Sequence, residues 1–206
     1  HEAGGAVQRP GYVTDIITDM SMEFLERRPR DRPFLLLTHH KAPHRSWEPH
    51  PRHATLYEDG DVPEPPTLDD DHAGRSKAAA EATMRIERDL TPADLKSEPP
   101  PGLTPAERKR WNYQRYIKDY LRCVAAVDEG VGRLLDHLAS SGLAESTVVI
   151  YTSDQGFFLG DHNWYDKRFM YEESIRMPLV IRLPGRVRPG AVCERMVLNV
   201  DFAPTL

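Results

Sequence analysis

Thr147-Val148-Val149-Ile150-Tyr151-Thr152-Ser153-Asp154-Gln155-Gly156 is the stretch on which the fold turns. Its apolar residues run without alternation, which predicts a strand over 147–152 buried on both faces. Such a strand belongs in a sheet with helices on its two sides. Two more segments carry the same signature. Residues 33–38 hold Phe34-Leu35-Leu36-Leu37, and Leu179-Val180-Ile181-Arg182-Leu183 is stopped by Pro184-Gly185. Between them lie helical patterns. Val13, Ile16, Ile17, Met20, Phe24 and Leu25 recur at helical spacing over 12–28, where Pro29 ends the pattern. Thr104-Pro105-Ala106-Glu107 reads as a capped helix start. The stripe from Tyr113 to Leu138 follows, with a break expected at Gly130 or Gly132 and a C-terminal stop at Gly142. Strands alternating with helices predict an α/β fold with a largely parallel sheet.

The segment 59–103 differs. It holds Pro63, Pro65, Pro66, Pro92, Pro99, Pro100 and Pro101, the acidic run Asp69-Asp70-Asp71 and few large apolar residues. It reads as a long surface excursion with one helix near 75–88.

The chain has 206 residues, enough for one domain with a sizeable core or the greater part of a larger one. Acidic residues outnumber basic ones 32 to 27, so no nucleic-acid partner is expected. No apolar run reaches the ~18 residues of a membrane span. Cys123 and Cys193 form no CxxC or Cys/His metal spacing and do not fix a redox compartment.

Polar clusters follow two of the strands, where open α/β sheets bind ligands. Asp154 and Gln155 pair a carboxylate with an amide oxygen. These are hard ligands suited to Ca²⁺ or Mg²⁺, or else part of an ordinary strand-to-loop turn in which Gly156 lets the backbone bend. Five of the nine histidines lie between 39 and 53. His40 and His44 are four apart, but Pro43 argues against the helix that would set them side by side for zinc. Either Lys41, His44 or Arg45 donates to an oxyanion, or the loop is simply solvated. Gly160 to Arg168 adds His162, Lys167 and Arg168, which again read as an anion site or as a solvated face. Taken together, the clusters fit metal-assisted hydrolysis of an anionic ester. No GxSxG elbow, P-loop or GxGxxG competes with that reading.

Three ordered segments carry a family resemblance. Pro33 to Leu37 followed by Lys41-Ala42-Pro43-His44-Arg45-Ser46-Trp47-Glu48-Pro49 resembles the histidine segment of type I sulfatases. Tyr151 to His162 resembles their second metal-binding segment, and Asp166 to Leu179 the lysine segment. Val127 to Leu135 is similar to the family's long helix, and Asp201 to Leu206 to a later segment. The resemblance implies an alkaline-phosphatase-like α/β/α sandwich, incomplete here. Residues 1–206 would be a partial sulfatase catalytic domain, with 59–103 as a variable surface excursion that reads the substrate. It implies a sulfuric ester hydrolase, arylsulfatase-like, acting on a small-molecule or carbohydrate sulfate ester. By the same resemblance Asp154 and Gln155 are ligands of one divalent cation, calcium with magnesium as the alternative. His44 and Lys167 contact the sulfate and assist the leaving group, Lys41 adds to substrate binding, and His162 is a third active-site group.

The family attacks with a formylglycine made in a C/S-x-P/A-x-R motif, which neither Cys123 nor Cys193 begins. The nucleophile and a first pair of metal-binding aspartates are therefore expected outside this chain, which by itself is expected to be inactive and to fold poorly. Two alternatives stand beside the sulfatase: a phosphonate or phosphate ester hydrolase of the same superfamily, and a non-catalytic sulfatase-like binding protein.

Overall fold

The computed structural model describes residues 5–206. The first helix, α1 (Val13–Arg27), and the long α4 (Pro105–Ser140) pack along each other. Three short helices punctuate the rest: α2 (Lys77–Glu81), α3 (Pro92–Leu95) and, near the far end of the chain, α5 (Glu172–Ile175). A last turn, α6, spans Phe202–Thr205. The strands are β1 (Val149–Thr152), β2 (Phe158–Leu159), β3 (Tyr165–Asp166) and β4 (Leu179–Arg182). No helix among the described residues is long and apolar enough to cross a membrane.

The start of α4 is set by its own sequence. Thr104 Oγ1 accepts from the Glu107 amide at 3.3 Å, and the Glu107 carboxylate accepts from the Thr104 amide at 2.8 Å. This reciprocal pair satisfies donors that the first turn leaves open. The helix then runs unbroken past Gly130 and Gly132, contrary to the expected break. Gly130 has a packing reason to be glycine. A Cβ there would come within 2.6 Å of Thr18 Oγ1 on α1, so the two helices approach more closely than alanine would permit. Gly142 follows the helix at φ +73°, a left-handed turn that glycine adopts without strain.

Two expectations fail on burial. Residues 33–38 form no strand among the described residues, and Leu35 and Leu37 are exposed. Their apolar run needs cover on both faces, and the described chain covers one. The strand expected over 147–152 is β1, and the one over 179–183 is β4. They pair antiparallel, with Val149 opposite Arg182 and Thr152 opposite Leu179. The β2–β3 ladder is antiparallel too. No parallel pairing occurs among the described residues, because each ladder has two strands and β1 has β4 as its one neighbour. Tyr151, Val180 and Ile181 remain exposed on that small sheet.

Part of the segment 59–103 is packed into the core rather than lying on the surface. Leu68, Ala79, Met84, Ile86, Leu90 and Leu95 are buried in one cluster with Tyr113, Tyr116 and Ile117 of α4, and with Trp47, Phe158, Trp164 and Tyr165. Its short helices sit at 77–81 and 92–95 rather than across 75–88. The Ile86 amide donates to the Asn163 carbonyl at 2.9 Å, and the Tyr165 amide to the Met84 carbonyl at 2.9 Å. The proline-rich backbone thus wedges apolar side chains between α4 and the 157–171 region, and buries them at roughly 25 cal/mol per Å² of apolar surface.

Candidate active site

The three polar segments are joined by direct contacts. Trp47, three residues after His44, is fully buried, with Phe157 at 6.4 Å and Tyr165 at 6.2 Å between ring centroids. The guanidinium of Arg45 lies over the Tyr165 ring at 4.9 Å and donates to its hydroxyl at 3.3 Å. Tyr165 is two residues before Lys167. The Lys167 ammonium in turn stands 6.0 Å from the Phe157 ring centroid, at the start of the segment that follows Gln155-Gly156. The Gly156 amide donates to the Ser174 carbonyl at 2.9 Å, which docks the Asp154-Gln155 turn onto α5.

That docking explains Gly156 differently from the sequence. A Cβ at 156 would lie 2.2 Å from the Glu173 carbonyl oxygen and 2.8 Å from that of Arg176. The glycine is needed for close approach to another backbone, not for a sharp bend.

His44 occupies a tight turn. Its amide donates to the Lys41 carbonyl at 3.0 Å, and its ring Nδ1 lies 2.8 Å from the Arg45 carbonyl. A carbonyl can only accept, so Nδ1 carries the hydrogen and Nε2 is left for another partner. Lys41 is exposed at the head of this turn. Asp154 and Gln155 are also exposed, just beyond β1. Ser153 Oγ donates to the Gln155 carbonyl at 2.8 Å, and Asn199 Nδ2 donates to the Asp154 carbonyl at 3.1 Å. These bonds hold the turn by its backbone and leave the Asp154 carboxylate without an ion pair among the described residues. No group of three or more His, Cys, Asp or Glu among the described residues is arranged around a common metal point. A carboxylate and an amide oxygen nevertheless fit a hard cation as two members of an oxygen shell of about six to eight.

His162 is bound into the protein more firmly than an open site group. Its Nδ1 meets Asp70 Oδ2 at 2.8 Å, and its Nε2 faces Glu173 Oε1 at 3.5 Å. Its carbonyl lies 2.9 Å from His72 Nε2, and its amide donates to Thr67 Oγ1 at 3.0 Å. Asp70 also takes an ion pair from Arg75 at 2.5 Å, and Arg75 donates to the Tyr171 hydroxyl at 2.9 Å. Burial alone would raise the Asp70 carboxyl. The His162 bond and the nearby charges outweigh it and hold the group below its ordinary value. His162 therefore joins the 59–103 segment to the lysine segment.

Sequence reasoning missed Asp94. Arg45 had stood among the oxyanion donors, but its fork grips the Asp94 carboxylate instead: Nε donates to Oδ1 at 3.1 Å and Nη2 to Oδ2. The sequence already argued against His40 as a zinc ligand, and its ring is engaged elsewhere. Its Nε2 lies 3.1 Å from Thr18 Oγ1 at the α1–α4 contact. The Cys123 thiol is pushed up to about 11 by burial, which removes it as a nucleophile at neutral pH.

Known proteins show the same architecture. A solved structure described as a complex with its substrate D-glucosamine-2-N,6-O-disulfate superimposes with a TM-score of 0.94 and 42% identity, covering 98% of this chain and 49% of that one. The phosphonate monoester hydrolase of Silicibacter pomeroyi superimposes with a TM-score of 0.59 and 27% identity, over 84% of this chain and 33% of that one. The chain is 43% identical to N-acetylglucosamine-6-O-sulfatase of Bacteroides thetaiotaomicron, over 99% of itself and 44% of that protein. It is 27% identical to an arylsulfatase of Clostridium perfringens, over 95% of itself and 37% of that protein. It thus spans less than half the length of these relatives. The fold is the α/β fold of alkaline-phosphatase-like hydrolases, present in part. The sulfatase family model matches residues 3–206, and the chain belongs to the sulfatase family.

Proposed function

We propose that the protein hydrolyses the sulfate ester of a sulfated amino sugar, and that His44, Lys41, Lys167, Asp154 and Gln155 form one part of its active site. The observation that carries this reading is the 43% identity, across nearly the whole chain, to an N-acetylglucosamine-6-O-sulfatase. The similar fold solved with a glucosamine disulfate supports the same substrate class.

The residues suit the chemistry. Hydrolysis places negative charge on the sulfate oxygens and on the departing sugar oxygen. His44 presents Nε2, because Nδ1 is held by the Arg45 carbonyl. As the imidazolium, with a hydrogen on each nitrogen, it donates from there to a sulfate oxygen or protonates the leaving oxygen. Lys167 supplies a compact positive charge beside the ester, and Lys41 a second one at the rim. Sulfatases use a divalent cation, which when bound draws charge from the sulfate oxygens. Here Asp154 and Gln155 would hold it, and their two hard oxygens favour calcium. His162 acts from behind, keeping the lysine segment on the 59–103 segment.

The test is sulfate release by the protein expressed from its complete reading frame. N-Acetylglucosamine-6-sulfate is offered beside an aryl sulfate and the matching aryl phosphonate. The reading expects the highest kcat/KM on the 6-sulfated amino sugar. The phosphonate hydrolase of similar fold gives the rival a concrete form, and faster turnover of the phosphonate would establish it. Turnover of none of the three would favour a binding protein.

A further inference from the structure

We propose that Asp94 is a positioning residue for His44, acting through Arg45 across 49 residues of sequence. The inference rests on the role given to His44 above and adds a residue to which no role has been assigned.

Among the described residues, the His44 ring has no side-chain partner. Its ring is oriented by the neighbouring Arg45 carbonyl, at 2.8 Å from Nδ1. The ring direction is therefore only as fixed as that peptide. Two anchors hold it. On one side, Trp47 Nε1 donates to the Pro43 carbonyl at 2.9 Å from a fully buried indole. On the other, Arg45 extends into the protein and pairs with Asp94 through two nitrogens, while its plane rests on Tyr165. A two-pronged, planar contact fixes the direction of the arginine as well as its position.

Asp94 is itself fully committed to this task. Its side chain is 2% exposed. Oδ2 accepts from the Thr91 hydroxyl at 2.7 Å and from the Thr91 amide at 2.9 Å, in the capping box of α3. The carboxylate thus cannot swing to follow a displaced arginine. Tyr165, the other support of Arg45, donates to the Asp89 carbonyl at 2.8 Å, so the 59–103 segment holds the arginine from two directions. Asp94 is buried away from solvent; with the Asp89 carbonyl it sets where His44 points, and Tyr165 stands two residues before Lys167. One clamp thereby fixes the spacing of the histidine and the lysine.

The experiment is a mutant cycle on the complete protein, scored by kcat and KM for the sulfated amino sugar. Asp94→Asn keeps the size and the capping oxygen but loses the charge that holds the fork. Arg45→Lys keeps the charge and loses the fork. Each is expected to lower kcat about 10- to 100-fold with KM within about two-fold, as for a group misplaced at the reacting centre. In a His44→Ala background the same changes should have little further effect, because the residue they position is gone. If either substitution, in folded protein, lowers kcat as much in His44→Ala as in the parent, or raises KM alone, the proposal is overturned. Should Asp94→Asn fail to fold, Arg45→Lys decides the matter. A His44→Ala variant of full activity would instead overturn the reading of His44, a different result from a failure of coupling.

Discussion

The backbone of Gly156 touches the backbone of α5: its amide meets the Ser174 carbonyl at 2.9 Å, and a Cβ in its place would lie 2.2 Å from the Glu173 carbonyl oxygen. Backbone cannot step aside as a flexible side chain can. Gly156→Ala is therefore expected to destabilise the fold by about 1–3 kcal/mol through overpacking. Gly132 is the control, with nothing within 4 Å of its added Cβ in the middle of α4. There alanine should be neutral or stabilising by up to about 1 kcal/mol, from helix propensity. Urea melts of the two variants test the pair, and equal midpoints would refute the argument.

The buried residues of the 59–103 segment make a second prediction. Ile86 is fully buried, and its amide is bonded to Asn163. Ile86→Ala should cost about 2–5 kcal/mol, since it removes buried methylenes and leaves a cavity. A segment that merely lay on the surface would lose within about 0.5 kcal/mol. Denaturant unfolding distinguishes the two outcomes directly.

How far the sequence could be read depended on the range of each interaction. The capping box of Thr104 and Glu107, the helical spacing of α1 and the turn at Gly142 are local, and all were legible, although α1 buries Thr14, Thr18, Ser21 and Leu25 while Val13, Met20 and Phe24 stay exposed. The buried character of 59–103 was not. Leu68, Met84, Ile86, Leu90 and Leu95 follow neither helical nor strand spacing, and prolines and acids between them mimic a loop. The reason for Gly130 lies on another helix, at Thr18. The same holds at the site. The segments around His44, Asp154 and Lys167 could be picked out locally, but Asp94 as the partner of Arg45 and Asp70 as the partner of His162 lie 49 and 92 residues away. No periodicity carries such pairings. The apolar runs at 33–38 and 179–183 were read as buried strands because hydrophobicity reports a need for cover, not its source.

His40 gives a pH dependence with a definite sign. The Thr18 hydroxyl donates to the Thr14 carbonyl at 2.9 Å, so toward His40 it can only accept, and the ring proton sits on Nε2. Burial holds the His40 pKa below its ordinary 6.5. The folded state therefore takes up a proton later than the unfolded chain as pH falls. Stability is unaffected well above pH 6.5 and is lost as pH drops from there through the folded value. His40→Gln removes this titration, and its stability should vary less between pH 7.5 and 5.5 than that of the parent. An unchanged slope would mean that other groups govern that window.

Asp154 is the residue whose loss should be read most clearly in metal binding. Its carboxylate is exposed, has no ion pair among the described residues and takes a long 3.5 Å bond from Ser153 Oγ, while its carbonyl accepts from Asn199 Nδ2. Substitution should thus spare the fold. A ligand that binds only folded protein stabilises it by about 2.7 kcal/mol at one hundred times its Kd. Added calcium is accordingly expected to raise the melting temperature of the complete protein, and a chelator to reverse the rise. Asp154→Ala should abolish the shift. Asp154→Asn should reduce it, because an amide oxygen remains but the charge does not. Gln155→Ala should weaken it less than Asp154→Ala, since a neutral ligand contributes less to holding a doubly charged ion. Retention of the full calcium shift in Asp154→Ala would place the ion elsewhere.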